Sequence, residues 1–475
     1  IFLYCVKILT LNQERIMKKK VNFTQREPIG SSTYPMPNKE PNFDLINEKL
    51  KDSCPEKDRV STLYVHIPFC DHLCSFCGFN KFLSQEEQKE QYVVNLIEEM
   101  RMYANTAYVQ TLDIQAVYLG GGTPNSLSSN QLGRILSFLT SNFPLSKGCE
   151  ITCEGTPTNL DRIVMLKQYG CNRISAGIQT FNKEIRQEHL KMGQEKKELL
   201  QSIEIIQSHF DTFNLDLIYN LPNQTDEIWH DDVETVLKTK ATHLTLYPLV
   251  LLEKTPFYFD FVKKEKYPAP DQTREIDLFN WSTDRLDKTG FVHRYSARDW
   301  AKKGKHCRYI HLNAENNQVL AFGAGSHGYL AGTTYRTHRM LENYGSEIMN
   351  KKRFPLAGQR ICTDYELMQR YMVMGLRLLK RNMRPFEQKF GVNWEEVFAE
   401  KAEVMQNSGY ITINGDIIEF TREGNIWANN VRTYFEEEKS LSVGYTDTVG
   451  IGSSGKDHYS SISRIKAAAD IEANT

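Results

Sequence analysis

The chain has 475 residues, of which 40% are apolar and 25% charged, and its 58 basic and 59 acidic side chains give a net charge of −1. This length is enough for about three domain units, or for one large barrel with a smaller partner. The even charge balance excludes a nucleic-acid-binding protein that relies on bulk positive charge.

The cysteines and the apolar runs indicate the cellular compartment of the protein. Ten cysteines in 475 residues are too few for a disulfide scaffold, and three of them fall between residues 70 and 77. This distribution indicates a reducing compartment and a metal site. No apolar run approaches the roughly 20 residues of a membrane-spanning helix, and Lys7 interrupts the apolar start of the chain. We therefore expect a cytoplasmic protein without a membrane span.

Residues 1–60 are predicted to form an N-terminal arm. Met17-Lys18-Lys19-Lys20 resembles a translation start, so residues 1–16 are predicted to lie upstream of the native protein. The prolines and polar residues of 21–60 predict an extended segment with one short helix near Asp44–Lys51.

From residue 61 onward, predicted strands alternate with predicted helices. The strands are Thr62–Ile67, Ala116–Leu119, Cys149–Cys153, Arg173–Ile178, Asn214–Ile218 and His243–Tyr247. The helices are Glu86–Tyr103, Asn130–Asn142, 159–169, 183–191, 195–209 and 226–239. About six such β-then-α units predict a parallel sheet with right-handed crossovers, either open and doubly wound or closed part of the way into a barrel.

The residues with chemical potential fall at the ends of these strands. The cysteine cluster follows the first strand, a Gly-Gly-Gly run follows the second, Glu154 ends the third and Gln179 the fourth. Barrel enzymes place their chemistry at the C-terminal strand ends. We therefore predict an α/β fold in which residues 61–255 form an incomplete (β/α)6 TIM-like barrel.

The second half of the chain is predicted to contain two further units and a tail. Residues 256–362 are expected to form a less regular, substrate-side extension of the barrel, with one clear helix near Thr273–Asp287. Two helical patterns and an Asn414-Gly415 hairpin over 363–436 predict a small winged-helix-like helical domain, with a plain helical cap as the alternative. Residues 437–475 are predicted to be a mobile tail.

A basic loop lies within the extension. Arg298 and Arg308 flank Lys302–Lys305. We expect a solvated surface loop there, with the acidic groups of a ligand or the acidic face of a partner protein as the alternative.

Cys70, Cys74 and Cys77 form a C-x3-C-x2-C pattern. Three thiolates on one loop can bind three irons of a [4Fe–4S] cluster and leave the fourth iron open. A zinc site needs four closed ligands, and no second cysteine pair has the spacing of one. Because His72 lies inside the loop, a mixed Cys/His zinc site remains an alternative.

These motifs resemble those of the radical S-adenosylmethionine (SAM) superfamily. Tyr64-Val65-His66-Ile67-Pro68-Phe69-Cys70 is similar to the signature of the subgroup related to oxygen-independent coproporphyrinogen III oxidase. The similarity continues through Gly120–Pro124, Gly177–Phe181 and Asp216–Pro222. It implies a [4Fe–4S] cluster whose open iron is chelated by SAM, and an adenosyl radical formed on reduction by a low-potential donor such as flavodoxin.

The resemblance also implies roles for particular residues. The turn that receives the SAM amino group is matched by Gly120, Gly121, Gly122 and Thr123. Tyr64 matches a tyrosine that lies beside the cluster and SAM, and the resemblance implies a catalytic role for it. Glu154, Gln179 and Asp216 match polar contacts to SAM. Lys191 stands where the family usually has an arginine for the SAM carboxylate, and Val250 aligns with a backbone contact to adenine. Cys70, Cys74 and Cys77 match the cluster ligands.

Departures from the subgroup decide the expected activity. Phe79 occupies a position where the authentic oxidases have a fourth cysteine, and Gly155-Thr156 follows Glu154 where we associate Asn-Pro with the haem chaperones. Cys77-Gly78-Phe79 resembles the anaerobic haem-degrading methyltransferases. We expect a radical SAM enzyme that methylates and opens haem and releases its iron, with 363–436 as a lid. The alternatives are a haem chaperone and, less favoured, a coproporphyrinogen oxidase.

Overall fold

The computed structural model of the chain describes residues 19–27, 30, 32–83, 86–157, 160–295 and 298–436. The predictions for residues 1–16 and for the tail at 437–475 concern residues outside these ranges. Within them, no helix is long and apolar enough to cross a membrane.

The described strands form one large sheet and one small one. The strands are β1 Val60–Ile67, β2 Asp113–Gly121, β3 Leu145–Gly155, β4 Arg173–Gln179, β5 Phe213–Tyr219, β6 His243–Pro248, β7 Phe291–Tyr295, β8 Asp299–Lys302, β9 Gln318–Phe322, β10 His327–Leu330, β11 Thr333–Thr337, β12 Leu356–Ile361, β13 Lys380–Asn382, β14 Ile411–Asn414 and β15 Ile417–Phe420.

The described helices connect these strands. They are α1 Phe43–Lys49, α2 Glu86–Ala104, α3 Ala107–Gln110, α4 Ser129–Asn142, α5 Leu160–Gln168, α6 Lys196–His209, α7 Asp226–Leu237, α8 Pro256–Tyr258, α9 Gln272–Asp287, α10 Arg308–Ala314, α11 Leu341–Met349, α12 Asp364–Gly375, α13 Arg384–Phe390, α14 Trp394–Asn407, α15 Arg422–Ile426 and α16 Ala428–Tyr434. Two π-helical segments, Ile185–Leu190 and Phe259–Lys263, and two 3₁₀ turns, Glu56–Asp58 and Pro124–Ser126, complete them.

The predicted parallel block is confirmed. Strands β1 to β6 are parallel and stand side by side in chain order. A doubly wound sheet reverses its strand order, so this order excludes that alternative. The outer neighbours of the block are β9 beside β1 and β8 beside β6, and the two ends do not pair with each other. The fold is therefore a mostly parallel, unclosed version of the barrel.

Alternation along β1 shows why the strands form where they do. Leu63, Val65 and Ile67 are fully buried on one face, and Tyr64 and His66 point to the other. The apolar face packs against the layer of helices, whose first turns are fixed by caps such as the Ser128–Gln131 capping box of α4. The opposite face lines the interior of the curved sheet. Residues for chemistry are consequently carried on the interior face.

Residues 256–362, expected to be a less regular extension of the barrel, contain more strands than the sequence indicates. This region contributes six strands, β7 to β12, all in the large sheet. β9 pairs in parallel with β1, and β8 pairs antiparallel with β6. These strands have only four to six residues each, and β9 and β8 pair with strands far earlier in the chain. Local periodicity is too short in such segments to reveal them.

The C-terminal region has the order expected of a winged helix. Strand β13 pairs with β15, which pairs with β14, and three helices precede the β14–β15 hairpin. The first helix ends at Gly375, and Lys380–Asn382 joins this small sheet. Thr421 caps α15 by accepting a hydrogen bond from the Gly424 amide.

The described part of the N-terminal arm is fastened to both halves of the molecule. The Phe23 ring stacks on Tyr410 at 4.9 Å between centroids. Arg26 is buried, donates to the Ile426 carbonyl at 2.8 Å, and pairs with Glu275 on α9 at 2.5 Å. The arm therefore joins the barrel helix α9 to the C-terminal region.

Replacing Arg26 by methionine is expected to lower the free energy of unfolding by about 3–5 kcal/mol, because Glu275 stays buried without its partner. Burial raises the pKa of Glu275 even with Arg26 beside it. Thermal unfolding of the anaerobically purified protein measures the loss. The matched control is Lys19→Met, which removes an exposed ion pair to Glu400 at 3.7 Å and should leave the melting temperature unchanged. Equal melting of Arg26→Met and wild type would contradict the expectation.

Candidate functional site

The loop that carries Cys70, Cys74 and Cys77 follows β1 directly. Its two ends are tied together, because the Cys70 amide donates to the Phe82 carbonyl at 3.1 Å and the Phe82 amide donates to the Pro68 carbonyl at 2.7 Å. Cys70 is buried, and Cys74 and Cys77 are half-buried. The loop thus holds three thiols at the C-terminal end of the first barrel strand.

The donor set fits an iron–sulfur cluster better than a single ion. Among the residues that the structure describes, no three His, Cys, Asp or Glu side chains converge on one ion position. In a [4Fe–4S] cluster each cysteine binds a different iron, so the thiols stand farther apart than around one zinc ion. Burial, with a smaller contribution from neighbouring thiols, raises the pKa of Cys70 to about 11 and of Cys74 to about 12. Cluster assembly must therefore deprotonate them.

The glycine turn after β2 is bonded directly to the base of the cysteine loop. The Gly122 amide donates to the Ile67 carbonyl at 2.8 Å, and the Thr123 amide donates to the Phe69 carbonyl at 2.7 Å. The Thr123 hydroxyl also donates to Cys70 Sγ at 3.4 Å. Gly121 has a φ of +113° and faces the His66 ring, where a Cβ would lie 2.5 Å from a ring carbon. Glycine is required there for both reasons.

Glu154 connects the third strand to this turn. Its Oε1 accepts a hydrogen bond from the Tyr118 hydroxyl at 2.5 Å, and its Oε2 accepts one from the Gly121 amide at 3.2 Å. Burial raises the pKa of Glu154 in spite of these two donors. The carboxyl group thus lies at the strand ends beside the glycine turn, where the resemblance expects a contact to SAM.

Tyr64 has partners that the sequence did not reveal. A hydrogen bond of 3.0 Å joins its hydroxyl to His66 Nδ1, and His66 Nε2 lies 3.0 Å from the Asn80 carbonyl oxygen. The alternation of β1 could have indicated His66, because it shares a face with Tyr64. Tyr118 and Tyr309 stack beside Tyr64, with centroids 6.4 Å and 6.1 Å away. Tyr309 comes from α10, and no local sequence signal predicts its place.

A small polar cavity lies inside the curved sheet. Its volume is about 30 Å³, enough for a water molecule, and Glu154, Asp216 and Tyr247 are in its wall. Burial, followed by the charge of Glu154, raises the pKa of Asp216 to about 7. The charge of Glu154 disfavours ionisation of Asp216, and the charge of Arg173, also in the cavity wall, acts to lower the pKa of Glu154.

Three predicted SAM contacts lie farther out. Gln179 ends β4 with a φ of +69°, and such strain in a residue other than glycine is typical of functional sites. Lys191 is exposed and follows the first π-helical segment with a φ of +60°, and Val250 is half-buried just after β6. The structure thus brings together Tyr64, Gly120–Thr123, Glu154 and Asp216, and gives Lys191 and Val250 no bonded contact with them.

Replacing Asp216 by asparagine is expected to stabilise the SAM-free protein more at pH 8 than at pH 5. The pKa of this carboxyl is about 7 in the fold and roughly 3.9 in an unfolded chain, so the fold holds a proton that the unfolded chain releases. Wild-type stability therefore falls as pH rises from about 4 to about 7. Asparagine removes this penalty, and the gain should grow by about 1–3 kcal/mol between pH 5 and 8.

Thermal unfolding of both proteins at the two pH values measures the gain from Asp216→Asn. The matched control is Asp211→Asn at an exposed position, which should show no pH-dependent gain. A gain for Asp216→Asn that is equal at both pH values would show that the carboxyl titrates normally.

Comparison with known proteins agrees with this geometry. Residues 64–236 match the Radical SAM superfamily, and residues 363–427 match the HemN C-terminal domain. The chain is 30% identical to "Heme chaperone HemW" of Lactococcus lactis over 78% of its own length and 96% of that protein. It is 29% identical to "Heme chaperone HemW" of Bacillus subtilis over 78% of its length and 98% of that protein.

A third relative and one solved structure complete the comparison. "Anaerobilin synthase" of Escherichia coli O157:H7 is 31% identical over 62% of this chain and 66% of that protein. The structure of coproporphyrinogen III oxidase (HemN) from Escherichia coli, a radical SAM enzyme, superposes with a TM-score of 0.75 and 21% identity over 88% of this chain and 99% of that one. The fold is therefore shared. The chain belongs to the radical SAM superfamily, in the group that contains the HemW and HemN proteins.

Proposed function

We propose that the protein binds haem, or a closely related tetrapyrrole, at the mouth of the barrel beside the cysteine loop, and acts as a radical SAM haem chaperone. The cluster and SAM would be held by the three cysteines and by the strand-end residues from Tyr64 to Asp216. When bound, they supply a reducible cluster and a source of adenosyl radicals. The observation that carries the proposal is an apolar surface around the loop.

Large exposed apolar side chains gather around the cysteine loop. The Phe257 amide donates to the Ser75 carbonyl at 3.1 Å, which fixes segment 256–263 against the loop. The Asn80 side chain donates to the Arg339 carbonyl at 3.1 Å, which holds the residues before α11 close to the cysteine loop. We call the exposed apolar side chains of these three segments the apolar rim: Leu73, Phe79, Leu83, Phe259, Val262 and Met340.

The apolar rim has the character of a ligand-binding surface. Single exposed apolar residues are ordinary, but a group of them around a functional loop is typical of a binding surface. Phe79 and Leu83 are 65% and 58% exposed. A planar, largely apolar macrocycle matches such a surface, and "heme" stands in the names of two relatives. This favours a tetrapyrrole as the ligand.

The whole-length similarity supports an order of the candidate functions. The two chaperones align over 98% and 96% of their own lengths, and anaerobilin synthase over 66%. Our sequence-based preference for haem degradation is therefore placed second. One observation favours it: the identity to anaerobilin synthase is 31%, slightly above the 29% and 30% identity to the two chaperones. The exposed Phe79 in place of a fourth cysteine places the coproporphyrinogen oxidase third.

A low-potential donor such as flavodoxin would reduce the cluster. The nine cysteines in the described residues are all free, which agrees with a reducing compartment, and we infer the cytoplasm.

The test is anaerobic incubation with haem, SAM and a low-potential reductant. A chaperone should shift the haem Soret band on binding and leave the macrocycle intact. A degrading methyltransferase should release 5′-deoxyadenosine and S-adenosylhomocysteine while the Soret band falls and a linear methylated tetrapyrrole forms. Mass spectrometry distinguishes these products. The matched control is Cys74→Ala, which should still bind haem but form no adenosine product. Absence of haem binding by the wild type would overturn the proposal.

A further inference from the structure

Two arginines from distant parts of the chain meet at the far edge of the barrel mouth. The Arg298 carbonyl accepts from the Leu246 amide at 2.8 Å, which places Arg298 beside the C-terminal end of β6. Its guanidinium lies over Tyr247, 5.3 Å from the ring centroid. Arg377 follows α12, and the next residue, Leu378, bridges to Tyr295 on β7. The C-terminal region thus delivers Arg377 to the edge where Arg298 stands.

The two guanidinium groups are close enough to repel each other. Burial, and then the charge of Arg298, lowers the pKa of Arg377 to about 10. The facing carboxylates are few. Asp299 lies 3.7 Å from Arg298 Nε, beyond hydrogen-bond distance, and its other oxygen accepts from Thr245. Asp216 is the other carboxyl group whose charge raises the pKa of Arg298.

Neither guanidinium donates a hydrogen bond to any atom of the residues described. Each carries five N–H donors in a fixed fork. Three buried arginines donate to backbone carbonyls: Arg186 to Thr180 at 3.2 Å, Arg370 to Tyr34, and Arg381 to Ala314. Arg298 and Arg377, by contrast, are half-buried. Two half-buried cations beside few carboxylates favour an anionic ligand with acceptor oxygens at this edge of the mouth.

The SAM carboxylate is not that ligand. In this superfamily it is chelated at the cluster, and the cysteine loop follows β1. Arg298 stands beside β6, at the opposite end of the parallel block. An anion bound by the pair must therefore belong to another molecule in the mouth.

We propose that Arg298 and Arg377 form a clamp for a propionate carboxylate of the bound tetrapyrrole. The apolar rim covers the macrocycle near the cysteine loop, and the clamp fixes its acidic edge across the mouth. Arginine forks match a carboxylate with two parallel hydrogen bonds. The inference rests on the proposed function, because it assigns the acidic groups of the ligand proposed there. It also revises the sequence-based expectation of a solvated loop at Arg298.

The test is a Soret titration of the anaerobically purified protein with haem and with haem dimethyl ester, which lacks free carboxylates. Wild type should bind haem about 10- to 100-fold more tightly than the ester. Arg298→Gln and Arg377→Gln should each weaken haem binding by about tenfold or more and leave ester and SAM binding unchanged. Arg298→Lys should recover part of the loss. The control is Arg384→Gln, at an exposed arginine paired with Asp416.

Several outcomes would overturn the clamp. Equal haem binding by wild type and both glutamine variants would do so, as would equal wild-type affinity for haem and ester. A loss of SAM binding with haem binding intact would assign the arginines to the cofactor. A wild type that binds neither haem nor ester would instead remove the proposed function, and the clamp with it.

Discussion

Replacing any one of Cys70, Cys74 or Cys77 by alanine is expected to abolish the iron–sulfur cluster. The wild type, purified without oxygen, should be brown and contain about four irons per chain. Because each thiolate binds its own iron, the loss of one leaves the cube with an unfilled corner in a loop that offers no substitute. Iron and sulfide analysis, with the visible absorbance, measures the result.

The matched control for the cysteine variants is Cys362→Ala. This cysteine is half-buried and lies outside the loop, so its removal should leave the iron content unchanged. A wild type that holds one zinc and no iron would contradict the cluster. A loop variant that keeps four irons would contradict the ligand set.

Replacing Gly122 by alanine is expected to abolish SAM binding and to reduce the iron content. A Cβ at this position would lie 2.7 Å from the Phe69 carbonyl oxygen and 2.9 Å from that of Ile67. Both are backbone atoms at the base of the cysteine loop, so neither can move away by a change of side-chain rotamer. The turn must move away and break the two hydrogen bonds that attach it to the loop. Overpacking of this kind costs about 1–3 kcal/mol in addition.

SAM binding by calorimetry and iron analysis together measure the effect of Gly122→Ala. Gly193→Ala is the matched control, because no atom lies within 4 Å of a Cβ placed there. We expect Gly193→Ala to bind SAM and iron as the wild type does. A Gly122→Ala protein with normal SAM affinity would show that the glycine turn can shift to accept a Cβ without losing SAM binding.

The parallel half of the fold could be predicted because its signals are local. Each of the six strands is a short apolar run before a helical period, and the caps and glycine turns mark the junctions. Strand ends therefore located Glu154 and the cysteine loop correctly. Strands β7 to β12 escaped prediction because each has only four to six residues, and β9 also pairs with β1, which lies far earlier in the chain.

The candidate site was predictable to the same extent. Motif residues on the strands, such as Tyr64 within β1 and Glu154 at the end of β3, could be placed from the sequence. Tyr309 and Arg377 could not, because helices outside the barrel repeat bring them to the mouth. Their positions depend on the packing of α10 and α12, which no spacing rule in the sequence encodes.

The position of β1 between β2 and β9 has a consequence for biosynthesis. The strand that carries the cysteine loop is paired on one side with early chain and on the other with residues around Phe322. During translation the N-terminal part of the barrel emerges first, and β1 stays an open edge until β9 has left the ribosome. The strand that carries the cysteine loop therefore acquires its second pairing partner only late in translation. Cluster insertion must follow translation of most of the chain, and a truncated product that ends before β9 should fail to retain iron.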